Sequence, residues 1–151
     1  MKRISTTSSL RSTALALALA GAGALAFGAV ASALPPERQA GGISYVTGGV
    51  ADDAAAAFKQ ARADYPLAIE LVQKSGGKNE FTADAQVQVS DSAGNVVLNA
   101  KADGPFMLVR VAPGTYRVQA TLNGRTVEAK PVTVGAKGGA QAMLVFPVKT
   151  D

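Results

Sequence analysis

Asp52-Asp53, in the stretch VADDAAAAFKQ, are the first residues whose types and spacing could do chemistry. A carboxylate pair serves acid–base catalysis, or holds a cation, when both groups reach one point. Neighbours on a helix point about 100° apart. The pair therefore suits a helix start, with Asp52 as N-cap and Asp53 facing the positive helix end. Asp91, Ser92 and Asn95 offer oxygens to a calcium ion, but one short turn falls short of the ~6–8 oxygens such an ion takes. They read as an ordinary Asp/Asn turn. Gly48-Gly49 precede the helix, where backbone N–H groups can cradle a phosphate. No P-loop lysine follows, and Asp52-Asp53 would repel an anion, so the pair reads as a hinge. Tyr45, Tyr65 and Tyr116 could line a glycan or peptide surface. They are dispersed, and Tyr116 falls on a core-facing parity, so each reads as a core or corner tyrosine. The chain has no His and no Cys. Ser-His-Asp triads, His-ligated metals, thiolate chemistry and disulfides are thereby ruled out. The expectation is no catalytic residue, no cofactor and no metal: a chain that is not an enzyme.

The remaining candidates are loops. The stretch DGPFMLVRVAPGTYRVQATLNG runs from Asp103 to Gly124 and contains three turn signals. Asp103-Gly104 opens it. Ala112-Pro113-Gly114-Thr115 suits a type II turn, with Pro113 presetting φ and Gly114 taking a positive φ. Asn123-Gly124 is a strong type I′ hairpin signal. Asp103, Gly104, Pro113, Gly114, Asn123 and Gly124 are thus the candidate interaction loops, although a folding role already accounts for Gly114 and Gly124. Arg110 and Arg117 interrupt the apolar runs and are expected to carry their heads to solvent.

These loops need elements to hold them. Lys2, Arg3 and Arg11 precede an apolar run from Ala14 that ends in Ala31-Ser32-Ala33. Charge, apolar run and A-x-A make residues 1–33 a cleavable secretory leader, cut between Ala33 and Leu34. The run is mostly Ala and Gly, so it is a leader rather than an anchor. The chain is expected to be exported, periplasmic or secreted. The leader takes three of the 15 basic residues and none of the 11 acidic ones. The remainder carries 12 against 11, so neither nucleic acid nor membrane is expected as a partner after cleavage.

Residues 34–50, rich in Pro and Gly, read as a flexible arm. Ile43, Tyr45 and Val46 allow a brief strand there. Residues 51–65 read as one helix. Ala54, Ala57, Phe58, Ala61 and Tyr65 lie on its apolar face, and Pro66 ends it. From Pro66 the period changes to two. Strands are expected at LAIELVQ, AQVQVSD, VVLNAKA, FMLVRV, TYRVQATL, RTVEAKPVTV and QAMLVFPV, with a turn at KSGGKNEF and a break at Pro131. Val87, Val89, Leu108, Val118 and Leu144 should be core. Seven strands with short, regular turns imply a mainly β chain, a seven-stranded antiparallel Greek-key β-sandwich preceded by one short helix.

AQVQVSDSAG (85–94), DGPFMLV (103–109) and VAPGTYRVQA (111–120) follow one another in this order. Together they resemble the carboxypeptidase regulatory-like domain, a transthyretin-like sandwich, over residues 67–148. The domain would then span 66–151. The departures are Ala102-Asp103 where Thr-Asp is usual, a proline before Phe106, and an arm and helix in front. In the wider transthyretin-like group, hydroxyisourate hydrolases use histidine and a C-terminal Tyr-Arg-Gly-Ser. This chain has no His and ends VKTD, so the resemblance does not carry that activity. Some bacterial sandwiches of similar fold form a Lys–Asn crosslink; here Glu70 stands where the lysine is wanted, and QAMLVFPV has no Asn. The resemblance implies a non-catalytic exported module with a binding or structural role in the cell envelope, its partner a protein or a glycan. The alternative is a periplasmic protein that binds a small molecule or carbohydrate with the end loops of the sandwich.

Overall fold

The computed structural model describes residues 34–147. Residues 1–33, where the leader is expected and which include Ala33, and residues 148–151 lie outside the described residues. Among the described residues eleven strands form two sheets, with one short helix. They are β1 (Arg38–Ala40), β2 (Ile43–Gly48), β3 (Leu67–Ser75), β4 (Lys78–Phe81), β5 (Gln86–Asp91), β6 (Val96–Lys101), β7 (Phe106–Val109), β8 (Gly114–Leu122), β9 (Arg125–Glu128), β10 (Val132–Val134) and β11 (Ala140–Phe146). Helix α1 spans Asp52–Ala61, and a single 3₁₀ turn follows at Arg62–Asp64.

The larger sheet has the order β1-β2-β7-β3-β11, with β4 also on β3. The smaller has the order β10-β8-β5-β6, with β9 also on β8. The period-two pattern of the sequence sorts the side chains. Val87, Val89, Leu98, Val118 and Ala120 face inward from the smaller sheet and meet Leu67, Ile69, Leu71, Met107, Leu144 and Phe146 of the larger. The opposite face of the larger sheet is apolar too. Val46, Ala68, Phe106 and Leu108 cover it and receive Ala55, Phe58 and Tyr65 from the helical segment. FMLV is therefore buried on both sides, as a strand between two cores must be. The result is three layers: helix, mixed sheet and antiparallel sheet.

Several expectations hold. All five named core residues are buried. Tyr65 is extended (φ −114°, ψ 144°), so Pro66 ends the helical segment. Pro131 separates β9 from β10. Asn123 (φ 51°) and Gly124 (φ 78°) form the left-handed turn expected of type I′.

Others are corrected. The seven-stranded antiparallel sandwich is an eleven-stranded pair of sheets, one of them mixed, because β11 runs parallel to β3 from Ala140↔Leu67 to Phe146↔Gln73. The arm expected over 34–50 forms β1 and β2, which join the larger sheet through β7. The turn expected at KSGGKNEF contains β4. Both additions are hairpins closed by paired glycines: Gly41-Gly42 (58°, 81°) and Gly76-Gly77 (55°, 83°) supply the two positive φ values that a type I′ turn needs. The helix is shorter than 51–65. Its N-cap is Ala51, with no side-chain cap, and Asp52 and Asp53 lie in the first turn.

Gly114 is also corrected. It does not take a positive φ but begins β8 in extended backbone. The bend before it is closed by Tyr116, whose hydroxyl donates to the carbonyl of Ala112 at 2.6 Å. A β-carbon at Gly114 would meet the Tyr116 side chain first, at 3.7 Å, an ordinary contact. Thermal melting should therefore separate the two turns. Gly114→Ala should stay within about 0.5 kcal/mol of wild type. Gly124→Val should cost about 1–3 kcal/mol for a β-branched residue held left-handed. Equal losses at both positions would show that the Ala112–Gly114 bend is not held by Tyr116.

Candidate functional site

The chemistry-bearing residues of the sequence are mostly spent on structure. Asp91 Oδ1 accepts the backbone N–H groups of Ala93 (3.0 Å) and Asn95 (2.9 Å), closing the β5–β6 turn. Asp53 Oδ1 accepts the Ala54 N–H. Tyr45 and Tyr116 are buried in the inter-sheet core, so no tyrosine platform forms. Among the described residues no three His, Cys, Asp or Glu side chains come close enough to hold a metal.

The candidate loops do not converge. Gly114 begins β8, while Asn123-Gly124 follow its far end, so Pro113-Gly114 and Asn123-Gly124 lie at opposite ends of the smaller sheet. Asp103-Gly104 belong to the Asn123 end, since Lys101 pairs Gln86 and Gln86 pairs Thr121. Asp103 is tied inward: its carboxylate meets Arg38 at 2.8 Å and its N–H donates to Thr47 Oγ1. Gly104 is buried against the backbone of Gly48.

The outer face of the larger sheet offers a different site. Helix α1 covers β2 and β7 but leaves part of β3 and β11 bare. Between them opens a cleft of about 110 Å³. Its floor is Ala68, Phe106 and Leu108, and Met143 walls it on the β11 side. Arg62 and Glu70 bring opposite charges to its lining. Phe106 extends the apolar surface on its other side. It stacks on Phe58 (5.8 Å between centroids) and tilts against Phe81 (5.3 Å), over which Lys59 sits. Phe81 and Met143 are about half exposed (49% and 53%), although both are large apolar side chains. Such an arrangement can take an aliphatic group and pair a polar one at its edge. Its volume is somewhat below the ~150 Å³ of an apolar cavity that admits benzene.

Beside this cleft the segment before β1 is fastened to the sandwich. Leu34 packs against the helix-facing core. Glu37 Oε1 accepts hydrogen bonds from Tyr65 Oη (2.7 Å) and Arg110 Nε (2.9 Å), with Arg110 Nη2 also at 2.9 Å. The Arg110 guanidinium lies 4.3 Å from the centre of the Tyr65 ring. Arg110 does not simply reach into solvent, as the sequence suggested; it holds the segment down. Nothing local marks this cluster, whose members stand 28 and 73 positions from Glu37.

The Arg110 hydrogen bond, followed by that of Tyr65, lowers the Glu37 pKa. Burial, and then the bond to Glu37, raises that of Tyr65. The carboxylate is thus favoured in the folded chain. Its contribution is present above the ordinary value near ~4.3 and is lost as pH falls through the lowered one. For Tyr65 the neutral hydroxyl is favoured. Its contribution is present below pH ~10 and is lost as pH rises through the raised value. Glu37→Gln should therefore melt below wild type at pH 7, with the gap closing between roughly pH 5 and 3. Melting curves that stay parallel across that range would show that the cluster does not fasten the segment.

The chain matches no family model, and it matches no curated protein.

Proposed function

We propose that this chain is an exported, non-catalytic module of the carboxypeptidase regulatory-like, transthyretin-like kind, which binds or braces a protein partner in the cell envelope. Support for the family comes from the placement of the three sequence segments. AQVQVSDSAG supplies β5 and its turn, DGPFMLV supplies a buried turn and β7, and VAPGTYRVQA supplies the bend and most of β8. Residues 92–94, 103–105 and 112–113 thus fall between strands, while Gly114 opens β8, and each alternating run falls on a strand.

The observation that carries the binding role is the cleft beside α1. It is apolar, charged at its lining, and continuous through Phe106 with the half-exposed Phe81. Large apolar side chains left in water beside a concavity mark interaction sites. A peptide side chain of the Leu or Ile kind fits such a lining. A sugar ring, which needs several convergent polar groups, fits it less well. This favours a protein over a glycan, and the cleft over the separated end loops.

The test places a photoreactive amino acid at Arg62, in the cleft lining, and in a second variant at Gln88, on the outward face of the smaller sheet. Irradiation of cells should give one discrete envelope adduct from position 62 and none from position 88. In the same preparation, mass spectrometry should show Leu34 as the first residue. Equal labelling from both positions would remove the binding role from the cleft. An uncut N-terminus would remove the export reading.

A further inference from the structure

We propose that the free edge of β11 is a self-pairing surface, on which a second copy of this chain adds its own β11 antiparallel across a twofold axis. This does not rest on the envelope role proposed above. β11 ends the larger sheet, and among the described residues no strand lies beyond it. The N–H of Ala140 donates to the carbonyl of Pro66, at the start of β3. Backbone groups alternate in direction along a strand. Ala142, Leu144 and Phe146 therefore turn theirs to β3, while Gln141, Met143 and Val145 turn theirs outward. A row of outward N–H and C=O groups is a template for another strand, and natural edges are usually blunted by charge, proline or brevity.

The other edges of this protein are blunted. β1 is three residues long and contains Arg38, and β4 contains Lys78 and Glu80. β6 ends in Lys101, β9 contains Arg125 and Glu128, and the three-residue β10 follows Lys130-Pro131. β11 has seven residues, AQAMLVF, with neither charge nor proline. Its Met143 side chain is 53% exposed. A groove of about 490 Å³ runs beside its first half, between Ala140–Met143 and Ala129–Thr133, and leaves space for an incoming chain.

The order of side chains indicates which strand fits. Like charges set directly opposite destabilise a strand pair, so a charged edge opposes its own twofold mate. A neutral one does not. Pairing centred on Met143 sets Ala140 against Phe146 of the second copy and Ala142 against Leu144, small against large in both cases. On the other face Gln141 meets Val145, and Met143 meets itself. The outward backbone groups of residues 141, 143 and 145 then make about six hydrogen bonds across the axis. Among the described residues each chain has one such edge, so assembly through it closes at two copies. One added strand buries less than the ~1,200–2,000 Å² of a standard interface, so the dimer should dissociate on dilution.

The absence of cysteine makes the geometry testable in the purified native chain. Met143→Cys treated with a short bis-maleimide should be captured as a covalent dimer. Val96→Cys, equally exposed on β6 (50% in wild type), should not. Sedimentation of wild type should show the mass doubling with concentration. Met143→Lys should weaken that association roughly five-fold or more by opposing two lysines, with the melting temperature of the dilute monomer unchanged. A single-chain mass at every concentration, with no excess crosslinking at 143, would overturn the proposal. So would a dimer that forms equally well in Met143→Lys, which would place the interface elsewhere.

Discussion

Gly104→Ala is expected to lower the melting temperature by about 10 °C or more, on a cost of about 3 kcal/mol for overpacking that cannot relax. The reason is not backbone conformation, since Gly104 needs no positive φ. A β-carbon there would overlap the carbonyl group and Cα of Gly48, which are backbone atoms and cannot rotate away as a side chain would. Nor can the turn retreat. Thr47 Oγ1, buried beside it, donates to the carbonyl of Phe106 at 2.9 Å and accepts the N–H of Asp103 at 3.1 Å. Those two bonds clamp residues 103–106 onto β2. The control is Gly135→Ala, where an added β-carbon meets nothing within 4 Å and no left-handed backbone is involved. Equal melting of the two variants would mean that the turn can move off β2. Asp103-Gly104 would then be free to act as the interaction loop that its sequence suggested. A deep loss at Gly104 alone assigns the pair to folding.

This turn also shows what the sequence made legible and what it hid. Period-two alternation located β3, β5, β6, β8 and β11, because each has one face against a core and pays for a mismatch at once. Local turn chemistry was legible where it acts alone, as at Asn123-Gly124. The same type I′ signal stands at Gly41-Gly42 and Gly76-Gly77, but the strands beside it, RQA and KNEF, are exposed and polar and give no alternation to read. β4 and β1 are edge strands held by backbone pairing, which any side chain permits. The parallel union of β3 with β11 was hidden for a different reason. It joins residues more than 70 positions apart and is decided by which edges remain free once the hairpins have formed, so no short window of sequence contains it.

The candidate site was hidden in a related way. Pro-Gly and Asn-Gly loops attract notice because their residue types are unusual, yet they sit at opposite ends of the smaller sheet. The cleft is built from Ala68, Leu108 and Met143, which in sequence are ordinary members of apolar runs. Its signal lies only in the second parity of FMLV, apolar on the side where a two-layer sandwich would be wet. Such a run, apolar on both faces, asks for cover on each. It could not predict that α1, only ten residues long, would cover one face incompletely.

Incomplete cover leads to the second large effect. Phe58→Ala should cost about 3–5 kcal/mol, since the ring is 1% exposed and truncating a buried phenylalanine leaves a cavity. The loss should be local. Phe58 stacks on Phe106 and belongs to a cluster with Val46, Ala68 and Leu108, while Leu71, Val87, Val118 and Leu144 form another on the opposite side of the sheet. No buried side chain belongs to both. In Phe58→Ala, hydrogen exchange should show the amides of α1 losing most of their protection while those of β5 and β8 keep theirs. Leu144→Ala, costing about 2–5 kcal/mol in the inter-sheet core, should lower protection in both layers, since the helix has nothing to rest on once the larger sheet opens. If Phe58→Ala instead lowers protection in β5 and β8 as much as in α1, the two clusters fold as one unit through the backbone of β7. The helix would then be a structural part of the sandwich rather than a partial cover beside a binding cleft.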